Sequence, residues 1–476
     1  MRRPIRPSEL LPDGAGRSET ERPAGRADIL VATCIASFLP PFMSSTLNLA
    51  TTAMSADLRA SALQVNWIVS AFLIASAACL LPFGRLGDMA GRKRLFVIGM
   101  TAYAAFSAAC AVAPSATSLV ALRAAQGAGG AIGFASSVAI LAGAFPPGER
   151  GRVLGINSAA VYTGLSLGPV LGGVLTQHLG WRSVFLASAA LGVPAVLLMA
   201  LRVADEWRGA PAEEYDWWGA LTWTASLAAL MAGISTIKTA RGGRWLALAG
   251  CAGLAAFVAR ELRARHPILD LGLFRNVVFA FSNLAALINY SATFAVGFLL
   301  SLYLQAARGL SPQSAGLILL IQPVLMAVLS PLSGRLSDRV EPRLVASVGM
   351  ALTSLALALF AGLGAASRLE TVAVGLALIG VGFGLFSSPN TNAVMSSVEA
   401  RRYGVGAATL GTMRQVGQAL SMSVVALVFA QVMGGARIGR ESASLIVASN
   451  RAVFSLLAAL CAAGVLASLA RGRLRD

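Results

Sequence analysis

Long apolar stretches, separated by short polar and charged ones, run through most of this chain. A helix needs about 20 apolar residues to cross the hydrocarbon core of a bilayer. The stretches are too continuously apolar for the alternating pattern of membrane β-strands, so helices are the predicted way to satisfy the backbone in lipid. The pattern predicts fourteen spans, near residues 28–50, 62–82, 94–114, 117–141, 153–177, 182–202, 217–238, 244–263, 277–306, 312–333, 344–365, 369–391, 404–432 and 450–471.

The composition supports the same class of protein. Of the 476 residues, 56% are hydrophobic and 12% are charged, and the mean hydropathy is +0.72. Ordinary soluble proteins have about 25% charged residues. We therefore predict an all-α, polytopic membrane protein with about fourteen transmembrane helices.

Basic residues favour one side of the predicted membrane. With fourteen spans both termini lie on one side, and that side carries 26 of the 38 Lys and Arg residues, whereas the opposite loops carry ten. Positive residues accumulate on the cytoplasmic side, so both termini are predicted to be cytoplasmic. This scatter over short loops favours membrane lipids as partners and disfavours nucleic acid. The Arg-rich, Ala-rich composition suggests a bacterial inner membrane.

Residues for other kinds of chemistry are few or scattered. Residues 1–27 are rich in Arg, Pro and Gly without an apolar core, so we expect a disordered tail and not a signal peptide. The five cysteines fall inside predicted spans at unrelated spacings, so we predict no metal site, and no cofactor is expected. The two histidines, His178 and His266, lie near span ends. No catalytic residues are predicted, and an enzyme is disfavoured.

A charged loop motif occurs twice, about half a chain apart. Residues 84–94 follow the second span and combine four basic residues with one acid among glycines, and residues 334–339 repeat the pattern. Asp88 can pair with Arg92 in one packing of the helices, so we predict a conformational latch; the alternative is that the charges only fix orientation. The repeat indicates two related helical bundles, as in secondary transporters. The predicted latch consists of Gly84, Asp88, Arg92, Gly334 and Asp338.

Two arginines lie inside predicted spans, Arg123 in the fourth and Arg414 in the thirteenth. A charge inside the membrane is costly and is a functional candidate by default, although snorkelling to the interface is the alternative for Arg123. Gln126 and Gln418 each lie about one helical turn from an arginine. Other polar residues in spans either line a cavity or bridge neighbouring helices. The predicted substrate or coupling residues are Arg123, Gln126, Arg414, Gln418, Asn48, Gln322 and Asn390.

The fifth span combines a glycine stripe with a proline. Gly164, Gly168 and Gly172 share one helix face at four-residue spacing, which is common in close helix packing. Pro169 removes a backbone donor, so a bend is expected, and Gly173 doubles the last glycine. Further helix breaks or kinks are expected at Pro40-Pro41, Pro323 and Pro389.

These motifs, in this order and at these spans, resemble the major facilitator superfamily, whose loop, fourth-span arginine and fifth-span antiporter signatures they match. Asn66-Trp67, residues 267–275 and residues 387–392 further resemble its fourteen-span drug:proton antiporter branch. The resemblance covers residues 28–471 and implies a monomeric exporter of small amphipathic molecules, either drugs or metabolites. The two bundles of such an exporter work by alternating access, with the fifth-span motif at the bundle interface. The resemblance also implies two pseudo-symmetric six-helix bundles, residues 28–202 and 277–471, a linker at 203–276 with two additional helices, and a tail at 472–476.

The sequence departs from this branch where an acid is usual in the first span. Met43 stands at that position, and each of the 21 acids lies in a tail, a loop or a span end. The two buried cations lack carboxylate partners in the spans, so we expect a neutral, zwitterionic or anionic cargo. Proton antiport is therefore one possibility beside two others: a proton-independent uniporter or exchanger of a neutral or anionic metabolite, and a transport-dead membrane sensor.

Overall fold

A computed structural model describes residues 25–207, 214–264, 267–337, 339–399 and 403–472. Within these ranges the chain forms fourteen long helices, and one isolated β-bridge joins Ser61 to Arg437. The helices are α1 (Arg26–Asp57), α2 (Ala62–Ala90), α3 (Arg92–Ala111), α4 (Ala116–Ala144), α5 (Pro147–Leu179), α6 (Arg182–Arg202), α7 (Trp217–Thr236), α8 (Gly243–Glu261), α9 (Val277–Ala307), α10 (Pro312–Ser337), α11 (Pro342–Ala361), α12 (Leu369–Ser396), α13 (Tyr403–Val432) and α14 (Ala443–Leu469).

The all-α fold class with fourteen long helices is confirmed. Twelve of the fourteen are long and apolar enough to cross a membrane, judged by length and composition within the described residues. The other two are α7 and α8, with 20 and 19 residues. Residues 1–24 and 473–476 of the predicted tails lie outside the described ranges, and α1 begins at Arg26.

Two six-helix bundles repeat the same packing. In the first bundle, α1 packs on α5 and α6, α4 packs on α2 and α3, and α3 packs on α6. In the second bundle, α9 packs on α13 and α14, α12 packs on α10 and α11, and α11 packs on α14. Each contact of the first bundle recurs eight helices later, as expected for a parallel repeat of one structural unit.

The bundles meet along two seams that the same repeat relates, α2 against α13 and α5 against α10. The additional helix α7 packs against both helices of the first seam, and α8 packs against α7. Thr224 of α7 donates to the backbone oxygen of Ala78 in α2 at 3.1 Å. Ser423 of α13 donates to the backbone oxygen of Met231 in α7 at 3.3 Å. The two additional helices therefore lie at the junction of the bundles.

The first charged motif is helical over most of its length. Helix α2 continues through it to Ala90, and α3 starts at Arg92, so the turn is reduced to Gly91. The φ of Gly91 is +114°, a backbone conformation that favours glycine. Helices can extend beyond the apolar stretch because charged residues oppose burial in lipid but not helix formation.

The prolines act differently in different helices. Helix α10 is interrupted between Leu319 and Ile321, close to Pro323, whose ring nitrogen cannot donate to the preceding turn. Helices α1 and α12 continue past Pro40-Pro41 and Pro389 without interruption. Helix α9 is interrupted at Phe294, and its last residues, Tyr303–Ala307, form a wider π-helix.

Candidate functional site

A cavity of about 310 Å³ lies between the two bundles. Its wall is formed by α1, α2, α4 and α5 of the first bundle and by the repeat-related helices α9, α10, α12 and α13 of the second. The helix interruption at Phe294 and the one before Gln322 both lie in this wall. Both bundles therefore contribute residues to the wall of the cavity.

Polar side chains reach the cavity at helical spacing. On α1 the wall includes Ser37, Ser44 and Asn48, and on α13 it includes Arg414 and Gln418. Residues three, four or seven apart share one helix face, so each set forms one polar stripe along its helix. Of the seven predicted substrate or coupling residues, the cavity wall contains four, namely Asn48, Gln322, Arg414 and Gln418.

Arg414 is the only charged side chain among the described residues that line the cavity. Its Nη2 donates to Oγ1 of Thr391 at 2.7 Å, and its guanidinium carbon lies 5.5 Å from the ring centre of Tyr290. Its Nε is buried and has no hydrogen-bond partner within the described part of the chain. The cavity therefore presents positive charge with unused hydrogen-bonding capacity.

Aromatic rings form much of the remaining wall. Tyr290 and Phe383 meet edge to face with ring centres 5.2 Å apart. The hydroxyl of Tyr162 in α5 lies 3.2 Å from Oγ of Ser330 and 3.4 Å from Oγ of Ser387, so it links the two bundles. Sequence reasoning missed Tyr162, although it continues a stripe on α5 with Ser158, Leu165 and Pro169, at helical spacing.

Arg123 and Gln126 lie inside the first bundle and not in the cavity wall. Arg123 donates through Nε to the backbone oxygen of Ile68 at 3.0 Å and through Nη1 to Oε1 of Gln126. Its guanidinium carbon lies 4.4 Å from the ring centre of Phe72, and Phe72 itself lines the cavity. Gln126 in turn donates to Oγ of Ser107 at 2.6 Å. This charge is compensated within the bundle, and its part in transport stays a prediction.

Asn390 lies inside the second bundle, beside a buried arginine that sequence reasoning missed. Its Nδ2 donates to the backbone oxygen of Ser282 at 3.1 Å, and its Oδ1 accepts a bond of 3.0 Å from Arg471. Arg471 is 1% exposed and also donates to the backbone oxygen of Ser468. The sequence places Arg471 at the end of the last span, where a side chain that turns back into the protein has no distinguishing pattern.

The first copy of the charged motif forms the predicted ion pair. Arg92 Nη2 lies 2.8 Å from Oδ1 of Asp88, and Arg92 Nη1 donates to the backbone oxygen of Ala139 in α4 at 2.9 Å. In the second copy, a Cβ at Gly334 would lie 2.7 Å from Oγ of Ser388, so this glycine allows close contact with α12. Gly84 lies near Ala135 of α4. Asp338 lies outside the described residues.

The segment that follows α6 forms hydrogen bonds with the start of α3. Sequence reasoning missed this contact. The carboxylate of Glu206 accepts the backbone N–H groups of Lys93 at 2.8 Å and Arg94 at 3.1 Å. The backbone N–H of Arg92 donates to the backbone oxygen of Trp207 at 2.9 Å. A carboxylate at a helix N-terminus accepts hydrogen bonds from the free N–H groups and interacts favourably with the positive end of the helix dipole. Residues 203–207 therefore connect the end of the first bundle to the motif.

The fifth-helix motif packs on two neighbours. A Cβ at Gly164 would lie 2.6 Å from the backbone oxygen of Phe38, and those at Gly168 and Gly172 would meet Ser45 and Thr46. These three glycines therefore allow α1 of the same bundle to pack closely against α5. Toward the other bundle, a Cβ at Gly173 would lie 2.8 Å from Cα of Gln313, and one at Gly316 would lie 2.2 Å from the backbone oxygen of Pro169. Pro169 and Gly173 are the members at the bundle interface.

The two bundles contact each other at the end opposite the termini. The backbone N–H of Ile438 donates to Oγ of Ser55 at 3.2 Å, and that of Ala62 donates to the backbone oxygen of Ala436 at 3.0 Å. These bonds join the turn after α1 to the turn after α13. Along the second seam, the close approach of α5 and α10 at Gly173 lies at the same end.

The sequence model of the Major Facilitator Superfamily matches residues 33–422, and a second match spans residues 282–475. The chain belongs to this superfamily. It is 29% identical over 443 residues to the riboflavin transporter RibZ of Clostridioides difficile, covering 92% of this chain and 96% of that protein. It is also 29% identical over 430 residues to the tetracenomycin C resistance and export protein of Streptomyces glaucescens, covering 89% and 80% of the two chains.

Solved transporters share the fold of this superfamily member. A peptide transporter POT in complex with alafosfalin superposes with a TM-score of 0.69 at 14% identity, covering 95% of each chain. At that identity the likeness shows the fold alone. The relatives place the chain in the drug-efflux branch, so it is a multi-pass membrane transporter.

Proposed function

We propose that this protein exports small amphipathic molecules by alternating access. The observation that carries the proposal is the cavity between the bundles, whose wall is formed by eight helices and combines aromatic rings with polar side chains. Such a wall fits molecules that have both apolar and polar parts. The relatives named for transport of riboflavin and for export of tetracenomycin C support the same class of cargo.

The proposed orientation places both termini in the cytoplasm of a bacterial cell, with the protein in the inner membrane as a monomer. The charge distribution of the loops supports this orientation. The bonds of Ser55 and Ala62 to the turn after α13 then lie at the outer end and hold the bundles together there, which supports entry of cargo from the cytoplasm. Anionic lipid headgroups would contact the basic loops.

Proton antiport is the first candidate for coupling, because the fifth-helix motif resembles that of antiporters. The cavity favours a second candidate, proton-independent exchange or uniport, because its described lining residues include no Asp, Glu or His. Met43, at the position of the usual acid, is buried and accepts a hydrogen bond from Ser188 of α6, inside the first bundle. A proton carrier that belongs to the cavity wall would therefore have to be a tyrosine. Any other proton carrier would lie outside the wall.

Export is tested with efflux-deficient cells that carry the gene or an empty vector, loaded with fluorescent neutral, anionic and cationic dyes. We expect the gene to lower accumulation of at least one dye. Equal accumulation of every dye in both strains would leave the sensor alternative. Purified protein in liposomes then separates the couplings: transport driven by an imposed pH gradient and abolished by nigericin supports antiport, whereas nigericin-insensitive counterflow supports exchange.

A further inference from the structure

The two intramembrane arginines differ in how their charge is compensated. Arg123 contacts a backbone oxygen, the side chain of Gln126 and the ring of Phe72, all inside one bundle. Arg414 has Thr391 as its hydrogen-bond acceptor and its buried Nε has none among the described residues. A guanidinium has five N–H donors in a planar fork. Arg414 lines the cavity, and its guanidinium has more donors than described acceptors there.

Two amide side chains lie beside Arg414 in the wall. Gln415 and Gln418 both line the cavity, and the N–H groups of such amides can donate to an anion. No described carboxylate of the wall offers Arg414 a countercharge. A charge held away from water is costly until a partner of opposite sign approaches. The anion that completes this site must then come from the cargo or from solution.

Aromatic rings share the cavity wall with this charge. Tyr290 lies beneath the guanidinium, Phe383 meets Tyr290 edge to face, and Phe72 and Phe134 lie in the wall contributed by the first bundle. Aromatic pairs of this kind prefer stacked or edge-to-face partners. The volume of about 310 Å³ is at the small end of ligand pockets. The site is suited to a small flat ring system with an acidic group at its edge.

We infer that the cargo class is a small aromatic anion, such as a carboxylate, sulfonate or phenolate, and that the Arg414 guanidinium binds its charged group. This inference rests on the proposed export function, because it assigns the substrate class of the same cavity. Arginine matches planar oxyanions by paired hydrogen bonds, which a lysine cannot reproduce. A strictly cationic drug meets a like charge at this place.

Three naphthalene probes of equal size test the inference: naphthalene-2-sulfonate, the neutral naphthalene-2-sulfonamide and the cationic 2-naphthylmethylammonium. Binding to the purified full-length protein in detergent is measured by fluorescence anisotropy at equilibrium. We expect wild type to bind the sulfonate about tenfold or more tightly than the sulfonamide, and the cation most weakly. Arg414→Gln should abolish that preference, and Arg414→Lys should keep part of it.

The control variant is Arg244→Gln, which removes one charge at the exposed start of α8, away from the cavity. It should bind all three probes as wild type does. Thermal unfolding of each variant shows whether it is folded, and Arg414→Lys keeps the test decisive if Arg414→Gln unfolds. Equal binding of sulfonate and sulfonamide by wild type, an unchanged preference in Arg414→Gln, or preference for the cation would overturn the inference.

Transport in liposomes distinguishes this failure from failure of the proposed function. If wild type moves the sulfonamide but shows no Arg414-dependent preference for the sulfonate, export stands and the cargo class is wrong. If binding is charge-selective and depends on Arg414 while no probe is moved under any gradient, the binding site stands and export is wrong.

Discussion

The buried pair of Arg123 and Gln126 should behave as one structural unit, which a double-mutant cycle can test. Arg123→Leu removes the donor of Gln126 Oε1 and leaves that oxygen buried without a partner. Gln126→Leu removes the acceptor of a buried guanidinium and one partner of Ser107. The double variant replaces both polar groups by apolar side chains of roughly similar volume.

The expected costs follow from what each variant leaves unpaired. Arg123→Leu should cost about 1–3 kcal/mol for the orphaned amide oxygen, and about 0.5–2 kcal/mol more for the lost cation–π contact with Phe72. Gln126→Leu should cost more, because the group left short of an acceptor is charged. Replacing both partners by apolar groups can be nearly neutral. The double variant also loses the contact with Phe72, so the expected order of stability is wild type, then the double variant, then Arg123→Leu, then Gln126→Leu.

Thermal unfolding of the purified proteins in one detergent measures this order, since the comparison needs only relative Tm values. Ser107→Ala serves as the matched control. It removes the hydrogen bond from Gln126 to Ser107 and leaves the bond between Arg123 and Gln126 in place. A double variant that loses as much as the sum of the two single variants would refute the reasoning. So would an Arg123→Leu variant as stable as wild type.

Three further predictions concern packing and local fastening. Gly168→Ala places a Cβ 2.5 Å from that of Ser45, so Tm should fall, and Ser45→Gly in the same chain should recover part of it; no recovery would exclude this contact as the cause. Glu206→Gln weakens the hold on the α3 start, so amide exchange in the first turn of α3 should speed up while that of α14 stays unchanged. Arg471→Met leaves Oδ1 of Asn390 unpaired, so Tm should fall by more than in Arg471→Lys; equal losses would contradict this.

The helices could be predicted from the sequence because the bilayer fixes their apolar length. The predicted span 277–306 is observed as Val277–Ala307, and the same holds within a few residues for most others. The ends could not be predicted as well. Helix α2 runs eight residues beyond its predicted end at 82, to Ala90, because nothing in the charged motif before Gly91 prevents helix formation. Hydropathy indicates which residues lie in the hydrocarbon core of the membrane. It does not indicate where a helix ends, because that depends on backbone conformation.

The cavity could be predicted in part. Polar residues at helical spacing in apolar helices gave Asn48, Gln322, Arg414 and Gln418, which the structure brings together. The aromatic wall could not be found this way, because Phe72 and Phe383 have the same apolar character as residues that face lipid. The contacts of Glu206 with α3 join positions more than 100 residues apart in sequence, and no local pattern identifies such a pair.

The difference between the two arginines shows which information the sequence lacks. Both lie in apolar helices with a glutamine nearby, so sequence reasoning treats them alike. Arg123 points into its own bundle, where Ile68 of α2 supplies an acceptor. Arg414 points to the junction of two bundles, where the described side chains supply a hydroxyl and a ring but no carboxylate. Under the proposed alternating access, the charge of Arg414 can be left for cargo to neutralise, whereas the charge of Arg123 is compensated by groups of its own bundle.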